Sequence, residues 1–180
     1  MRPPVPILAL TLALAAFPAA AQQAAKQELS SQDRHFAEHA MAGGMMEVQL
    51  GKLADQRAAS ASVKTFGQRM VTDHSKANQR LSEIGSGLGL KPPAELPREQ
   101  SRTVEKLAGL SGAEFDRAYM AAMIDDHKKD IGEFRKQAEK GENAQLKSFA
   151  QDSVPILEQH LRLAEDTQSR LGGQQAQTPR

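Results

Sequence analysis

The chain carries five histidines in 180 residues, and two of them stand in a phrase that occurs twice. Positions 70–76 read MVTDHSK and positions 123–129 read MIDDHKK; Met, Asp, His and Lys recur in register, and Val71 is exchanged for Ile124. Imidazole titrates near neutrality and is the commonest metal ligand among side chains. The repeat therefore points to proton transfer, metal ligation or a buried polar contact. His160 extends the pattern, as does one acid, Glu47. All four continue apolar or small stripes at helical spacing. Glu47 lies between Gly43 and Leu50, His74 between Met70 and Ala77, His127 between Met123 and Ile131, and His160 between Ile156 and Leu163.

A carboxylate or imidazole on a core stripe is costly unless it has a partner, and Glu is almost never fully buried alone. One carboxylate and three imidazoles that converge would hold a transition-metal ion. Imidazole suits Zn, Cu, Fe and Ni, and the carboxylate offsets charge. The competing use is a metal-free network that fixes helix register. Asp73 and Asp126 each precede a site histidine and point about 100° off the stripe. They either orient a histidine of another helix or pair with Lys76 and Lys129 at i+3, and the ion pairs are the favoured expectation. His35 and His39, four apart, form a surface pair. The methionines at 41, 45, 46, 70, 120 and 123 read as core filler, although Met70 and Met123 stand one turn before a site histidine and leave a Met/His copper site as a lesser option.

These residues need helices to carry them, and the composition supplies them. Helix formers with small or flexible side chains dominate, aromatics make up 4%, and the formal charge is +1. A balanced charge argues against a dedicated nucleic-acid binder or a polybasic membrane protein. The spacing predicts one helix from Asp33 to Ala58 with Phe36, Ala40, Gly43, Leu50 and Ala54 inward. A second spans Ser60–Ser86 with Val63, Phe66, Met70, Ala77, Leu81 and Ile84 inward. The stretch GSGLGLKPPAELP then breaks the pattern. A short helix over Arg98–Leu110 crosses the surface. A third long helix ends near Glu139, with Phe115, Tyr119, Met123, Ile131, Phe134 and Ala138 inward. A fourth runs from Asn143 to Leu171, with Leu146, Phe149, Ser153, Ile156 and Leu163 inward and a kink at Pro155.

Two short turns and one long connection give an all-α fold, a ferritin-like four-helix bundle with a long crossover between helices two and three. The site residues then fall near mid-bundle. Glu47 stands about twelve residues before the first turn and His74 about fifteen after it; His127 stands about fourteen before the second turn and His160 about nineteen after. Internal similarity agrees with two hairpins. FAEHAMAGGMME at 36–47 aligns with FDRAYMAAMIDD at 115–126, sharing Phe, Met-Ala and an acid eleven residues after the Phe, and VKTFGQ at 63–68 aligns with LKSFAQ at 146–151.

The ends read differently. MRPPVPILALTLALAAFPAAAQQ has a basic start, an apolar run from Val5 to Phe17 and small residues at Ala19 and Ala21. That is the layout of a secretory signal peptide, with cleavage expected after Ala21; the run is short for a membrane span. Residues 22–31 form a lead-in, 32–171 the bundle domain and 172–180 a disordered tail. There is no Cys, which rules out disulfides and a cysteine-linked lipid. No phosphate loop, H-E-x-x-H or nucleophile motif is present.

The stretches GGMMEVQLGKLADQRAASASVKTFGQRMVTDHSKAN, FDRAYMAAMIDDHKKDIGEF and LKSFAQDSVPILEQH resemble a bacterial domain of unknown function, over roughly residues 32–170. Members of that family are described as outer-membrane or periplasmic proteins and are similar to ferritin-like bundles. The resemblance implies an exported helical domain, in the periplasm or at the outer membrane, and no settled activity. Ferritin-like di-iron proteins use Glu-x-x-His pairs, whereas here Val71, Ile124 and Leu157 stand three residues before the histidines. One ion is therefore the natural capacity of Glu47, His74, His127 and His160. The readings carried forward are a periplasmic protein binding one transition-metal ion (Zn, Cu or Fe), a metal-free envelope interaction module with a Glu/His core network, and a redox-metal oxidoreductase. Homo-oligomerisation is left open by the sequence.

Overall fold

The computed structural model describes residues 28–176; the signal-peptide assignment lies outside them. Five helices follow one another: α1 Ser31–Arg57, α2 Ala61–Gly87, α3 Arg98–Ala108, α4 Gly112–Lys140 and α5 Ala144–Ala176. There is no strand among the described residues. Helices α1 and α2 form one hairpin and α4 and α5 the other; α1 packs on α4 and α2 on α5, while α3 lies against α1 and touches α4. This is the expected four-helix bundle with its long connection between the second and third bundle helices. No described helix is long and apolar enough to cross a membrane.

The elements start and stop where local chemistry dictates. Ser30 caps α1 by accepting a hydrogen bond from the Asp33 N–H. Pro97 precedes α3, and Gly112 takes a positive φ of 62° that a side chain would resist. Helix α3 buries only Leu107 and so rides on the surface. Helix α5 passes through Pro155 as one helix and extends beyond Leu171 to Ala176, so the first five residues of the expected disordered tail are helical.

One stripe was misplaced by the sequence reading. Ile156, expected inward, is 46% exposed, and Leu157 is buried in its place. The inner face of α5 runs Leu146, Phe149, Ala150, Leu157, His160, Ala164 and Thr167. Ile156 and Leu157 flank His160 on opposite sides of the helix, and the buried face is centred on the Leu157 side, with Leu146, Ala150 and Ala164.

Two buried aspartates lock each hairpin onto the other. Asp116, near the start of α4, accepts hydrogen bonds from the Ala59 and Ser60 N–H groups in the α1–α2 turn, at 3.1 and 2.9 Å. Asp33, near the start of α1, accepts from Gln137 on α4 and from the Asn143 N–H in the α4–α5 turn. The clamps are reciprocal, as a duplicated hairpin would have them. Within the first hairpin the backbones come close at Gly51 and Gly67. A Cβ on Gly67 would stand 2.5 Å from that of Ala54, and one on Gly51 would stand 2.6 Å from the Gly67 carbonyl oxygen.

The core divides into two apolar clusters. One gathers Leu50, Phe66, Met70, Phe115, Tyr119 and Met123, and the other gathers Phe36, Leu81, Phe134, Leu146, Phe149 and Leu157. Between them the four helices contribute Glu47, His74, His127 and His160. Asp116→Ala strips the acceptors from two backbone donors, and hydrogen bonds to charged groups carry roughly 1.5–3 kcal/mol each in such settings. The variant should lose about 2 kcal/mol or more in urea unfolding, and an unchanged midpoint would show that the clamp contributes nothing.

Candidate metal centre

The four sequence-nominated residues do meet. Glu47 is 1% exposed, His74 7%, and His127 and His160 0%. Glu47 Oε2 lies 2.7 Å from His74 Nδ1, and Glu47 Oε1 lies 3.5 Å from His127 Nε2. His127 Nε2 lies 3.3 Å from His160 Nδ1. The three imidazoles each offer one nitrogen, all within 4.8 Å of one another. A cavity of about 50 Å³ adjoins them, bounded by Glu47, His74, Asp130 and His160 among others.

Hydrogen bonding fixes how two of the rings present themselves. His127 Nδ1 stands 2.9 Å from the Met123 carbonyl oxygen, which can only accept, so the proton sits on Nδ1. His160 Nε2 stands 2.9 Å from Asp73 Oδ2 and donates to it. In their neutral forms both rings therefore turn a lone pair toward the same space, where His127 Nε2 and His160 Nδ1 face each other. Burial pushes all three rings down to about 4, so they are neutral at physiological pH. An oxygen partner on one ring nitrogen and a free lone pair on the other is the usual dressing of a metal-ligating histidine.

Asp73 thus plays the orienting part. The expected Lys76 pair does not form; Asp73 instead meets Arg69 one turn back, at 3.2 Å, and His160 on α5. Burial pushes its carboxyl up, but the His160 hydrogen bond and the His160 and Arg69 charges hold it below its ordinary value. It is ionised, as an acceptor for His160 must be.

Asp126 was missed as a site residue. The favoured Lys129 ion pair is not formed. Glu47, Asp126 and His127 each offer one ligating atom within 4.8 Å of the others, and Asp126 Oδ2 is buried with no hydrogen-bond partner. Asp130, one turn further on α4, is 6% exposed. The sequence did hold a signal for Asp126: it aligns with Glu47 in the hairpin repeat, as the acid eleven residues after the shared Phe. Both acids border the same buried space. A groove of about 680 Å³ between α1, α3 and α4 is lined by Asp126, Asp130 and Gln100 and by the exposed pair His35 and His39, whose rings lie 6.1 Å apart. Met70 and Met123 pack in the apolar cluster, as filler should.

Electrostatics sort the acids from the bases. Burial pushes Glu47 up to about 8, with His127 opposing and Asp126 reinforcing the rise. Burial likewise pushes Asp126 up to about 6, against the pull of His74 and Lys129. Asp130 is raised well above its ordinary value by burial and by Glu47 and Asp126.

The fold and the centre together define a class: a helical bundle with a layer of imidazoles and carboxylates across its core. The chain belongs to the family described as "Domain of unknown function (DUF4142)", whose pattern matches residues 18–167. Two solved structures share the fold. A DUF305 fragment from Deinococcus radiodurans is 15% identical with a TM-score of 0.69, over 79% of this chain and 98% of that one. A DUF305 protein from Streptomyces coelicolor is 16% identical with a TM-score of 0.68, over 78% of this chain and 92% of that one. No curated protein matches the chain.

The raised carboxyl of Glu47 has a consequence for stability. Its proton is held to about pH 8 in the folded chain, against 4.5 ordinarily. A raised acid favours folding below its ordinary value, and that contribution is lost as pH climbs through the folded value. Metal-free protein should therefore melt at progressively lower temperature from pH 6.5 to 8.5. The slope should shrink in Glu47→Gln; an equally steep slope in the variant would refute the assignment.

Proposed function

We propose that this protein is exported to the periplasm and holds one transition-metal ion, Zn, Cu or Fe, on His74, His127 and His160, with Glu47 completing the set. The observation that carries the reading is the pair of imidazole lone pairs, His127 Nε2 and His160 Nδ1, turned toward each other at 3.3 Å on two fully buried rings. Two lone pairs at that separation repel unless a cation lies between them. A proton could serve, but burial disfavours the charged ring. A metal ion bound at three or four donors serves better.

The other nitrogen of His74, Nε2, is buried with no partner, and so is Glu47 Oε1. Both are atoms an ion would take. Glu47 Oε2 meanwhile steadies His74 through Nδ1. One carboxylate thus supplies a ligand oxygen and an orienting oxygen. Export is supported by the basic-apolar-small start of the chain and by the Streptomyces coelicolor relative, which is provisionally described as secreted. A role in envelope metal handling or stress fits an ion sealed in a core. The ferritin-like connectivity supports kinship with bundles that hold metal between helices, here adapted to one ion.

The decisive measurement is metal content by mass spectrometry of protein purified from the cell envelope without a histidine tag. Near-stoichiometric metal is expected in the wild type and none in His74→Ala/His127→Ala. Wild-type protein that arrives empty and refuses added Zn, Cu and Fe would leave the four residues as a register-fixing network. Affinity should also depend on pH. The ion displaces the proton that Glu47 retains to about pH 8, so binding should tighten about tenfold per pH unit between 6 and 7.5 and flatten above. A pH-independent constant over that range would remove Glu47 from the ligand set.

A further inference from the structure

We infer that the centre has a second pole: Glu47, Asp126 and His127 form a separate subsite for an oxygen-preferring divalent cation of the manganese type, with Asp130 beside it and the α1–α3–α4 groove giving access. It shares Glu47 and His127 with the three-histidine site, so two ions would compete for those donors, and its test does not depend on that site being loaded.

The argument begins with the donors. Glu47, Asp126 and His127 each place one ligating atom within 4.8 Å of the other two. Glu47 Oε1, on a residue 1% exposed, has no hydrogen-bond partner, and neither has the buried Asp126 Oδ2. Two orphaned carboxylate oxygens beside an imidazole lone pair make a cradle for a cation. Asp130 lines both the small central cavity and the groove, so it can contribute from the side.

Charge counts in the same direction. Ionised Glu47, Asp126 and Asp130 would bring three negative charges into the interior, and the neutral imidazoles offset none of them. Lys129, the cation nearest Asp126 in sequence, is exposed. One divalent ion on this set would neutralise two of the three charges, which no neutral imidazole can do. His127 has one free nitrogen and can serve one ion at a time. Glu47 Oε2 is taken by His74 Nδ1, so Oε1 is the one oxygen it offers to either ion. The chemistry of the poles differs. Imidazoles favour Zn, Cu, Fe or Ni, whereas a carboxylate-rich set favours Mn, Mg or Ca, and a histidine in it selects Mn among these.

Access differs as well. Asp126 and Asp130 line the groove of about 680 Å³, while His74 and His160 do not. The groove is also lined by Glu38, Glu99 and Asp125, and its acids outnumber its lysines, Lys106 and Lys129, so its field would draw cations in. The hairpin repeat supplies the logic: Glu47 and Asp126 are the matched acids of the two halves, brought face to face at mid-bundle.

The test uses chelator-stripped full chain, first alone and then loaded with Zn(II), titrated with Mn(II) alone while electron paramagnetic resonance follows free Mn(II). The stripped wild type should remove about one equivalent of Mn(II), and Zn(II) on the histidines should weaken that uptake by claiming His127. Asp126→Asn should bind Mn(II) at least about tenfold more weakly while still taking Zn(II), and Asp130→Asn should weaken Mn(II) to a smaller degree. Mn(II) left free by the wild type, or bound equally well by Asp126→Asn, overturns the inference. Zinc that fails to bind while Mn(II) binds and is lost in Asp126→Asn defeats the histidine-site reading and leaves this one standing.

Discussion

A layer of polar side chains crosses the middle of this bundle, and the rest of the structure is arranged around satisfying it. Glu47, His74, His127 and His160 separate two apolar clusters that would otherwise be one continuous core. Leaving such groups unpaired in a dry interior costs free energy comparable to a lost hydrogen bond or more. The layer therefore had to find its partners within itself, from the backbone, or from an ion. Met123 and Asp73 hold two of the rings from outside. What they leave inside is one pair of acceptors facing each other, His127 Nε2 and His160 Nδ1. That imbalance is the strongest chemical statement the molecule makes.

Convergence of this kind tolerates little slack, and the fold removes slack at both ends. Gly51 lies one turn beyond Glu47, and the close approach at Gly51 and Gly67 brings α1 against α2. Glu47 and His74 then meet without stretching either side chain. At the bundle ends Asp116 and Asp33 each reach from one hairpin to the turn of the other. They fix the vertical register between the halves. Without that register His127 and His160 could slide relative to Glu47 by part of a turn, about 5 Å per turn, and the ligating atoms would no longer share a space.

Much of this was legible in the residues. The helices, the connectivity and the four polar positions followed from a 3.6-residue period and from Gly and Pro punctuation, because burial of one face is a local property of each helix. Two things were not legible. Ile156 and Leu157 are adjacent, similarly apolar and on either side of His160 around the helix, so an inward His160 fits both; the packing of Leu146, Ala150 and Ala164 is what puts Leu157 inside. Asp73 and Asp126 looked like solvated partners of Lys76 and Lys129, since each sits off the stripe of its own helix. Their nearest site neighbours lie on other helices: His160 on α5 for Asp73, and Glu47 on α1 for Asp126. Periodicity reports only which way a residue points from its own axis. It is silent on what a neighbouring axis places there.

The acids and the imidazoles are mixed in sequence and sorted in space. Asp126 and His127 are consecutive on α4, so they diverge by about 100° around the helix. His127 reaches the imidazole side and Asp126 the groove side, and Glu47 stands between with one oxygen toward each histidine neighbour it touches. Burial acts oppositely on the two kinds of group. It holds protons on the carboxyls and keeps them off the rings. The metal-free interior is thus close to neutral, which is why it can be buried at all. The same arrangement is primed for exchange: a cation that arrives replaces protons on acids and needs to remove none from the rings. On the proposed reading, protons and a metal ion would be alternative ways of neutralising one buried layer, and the depth at which Glu47 is buried would set the pH at which they trade places.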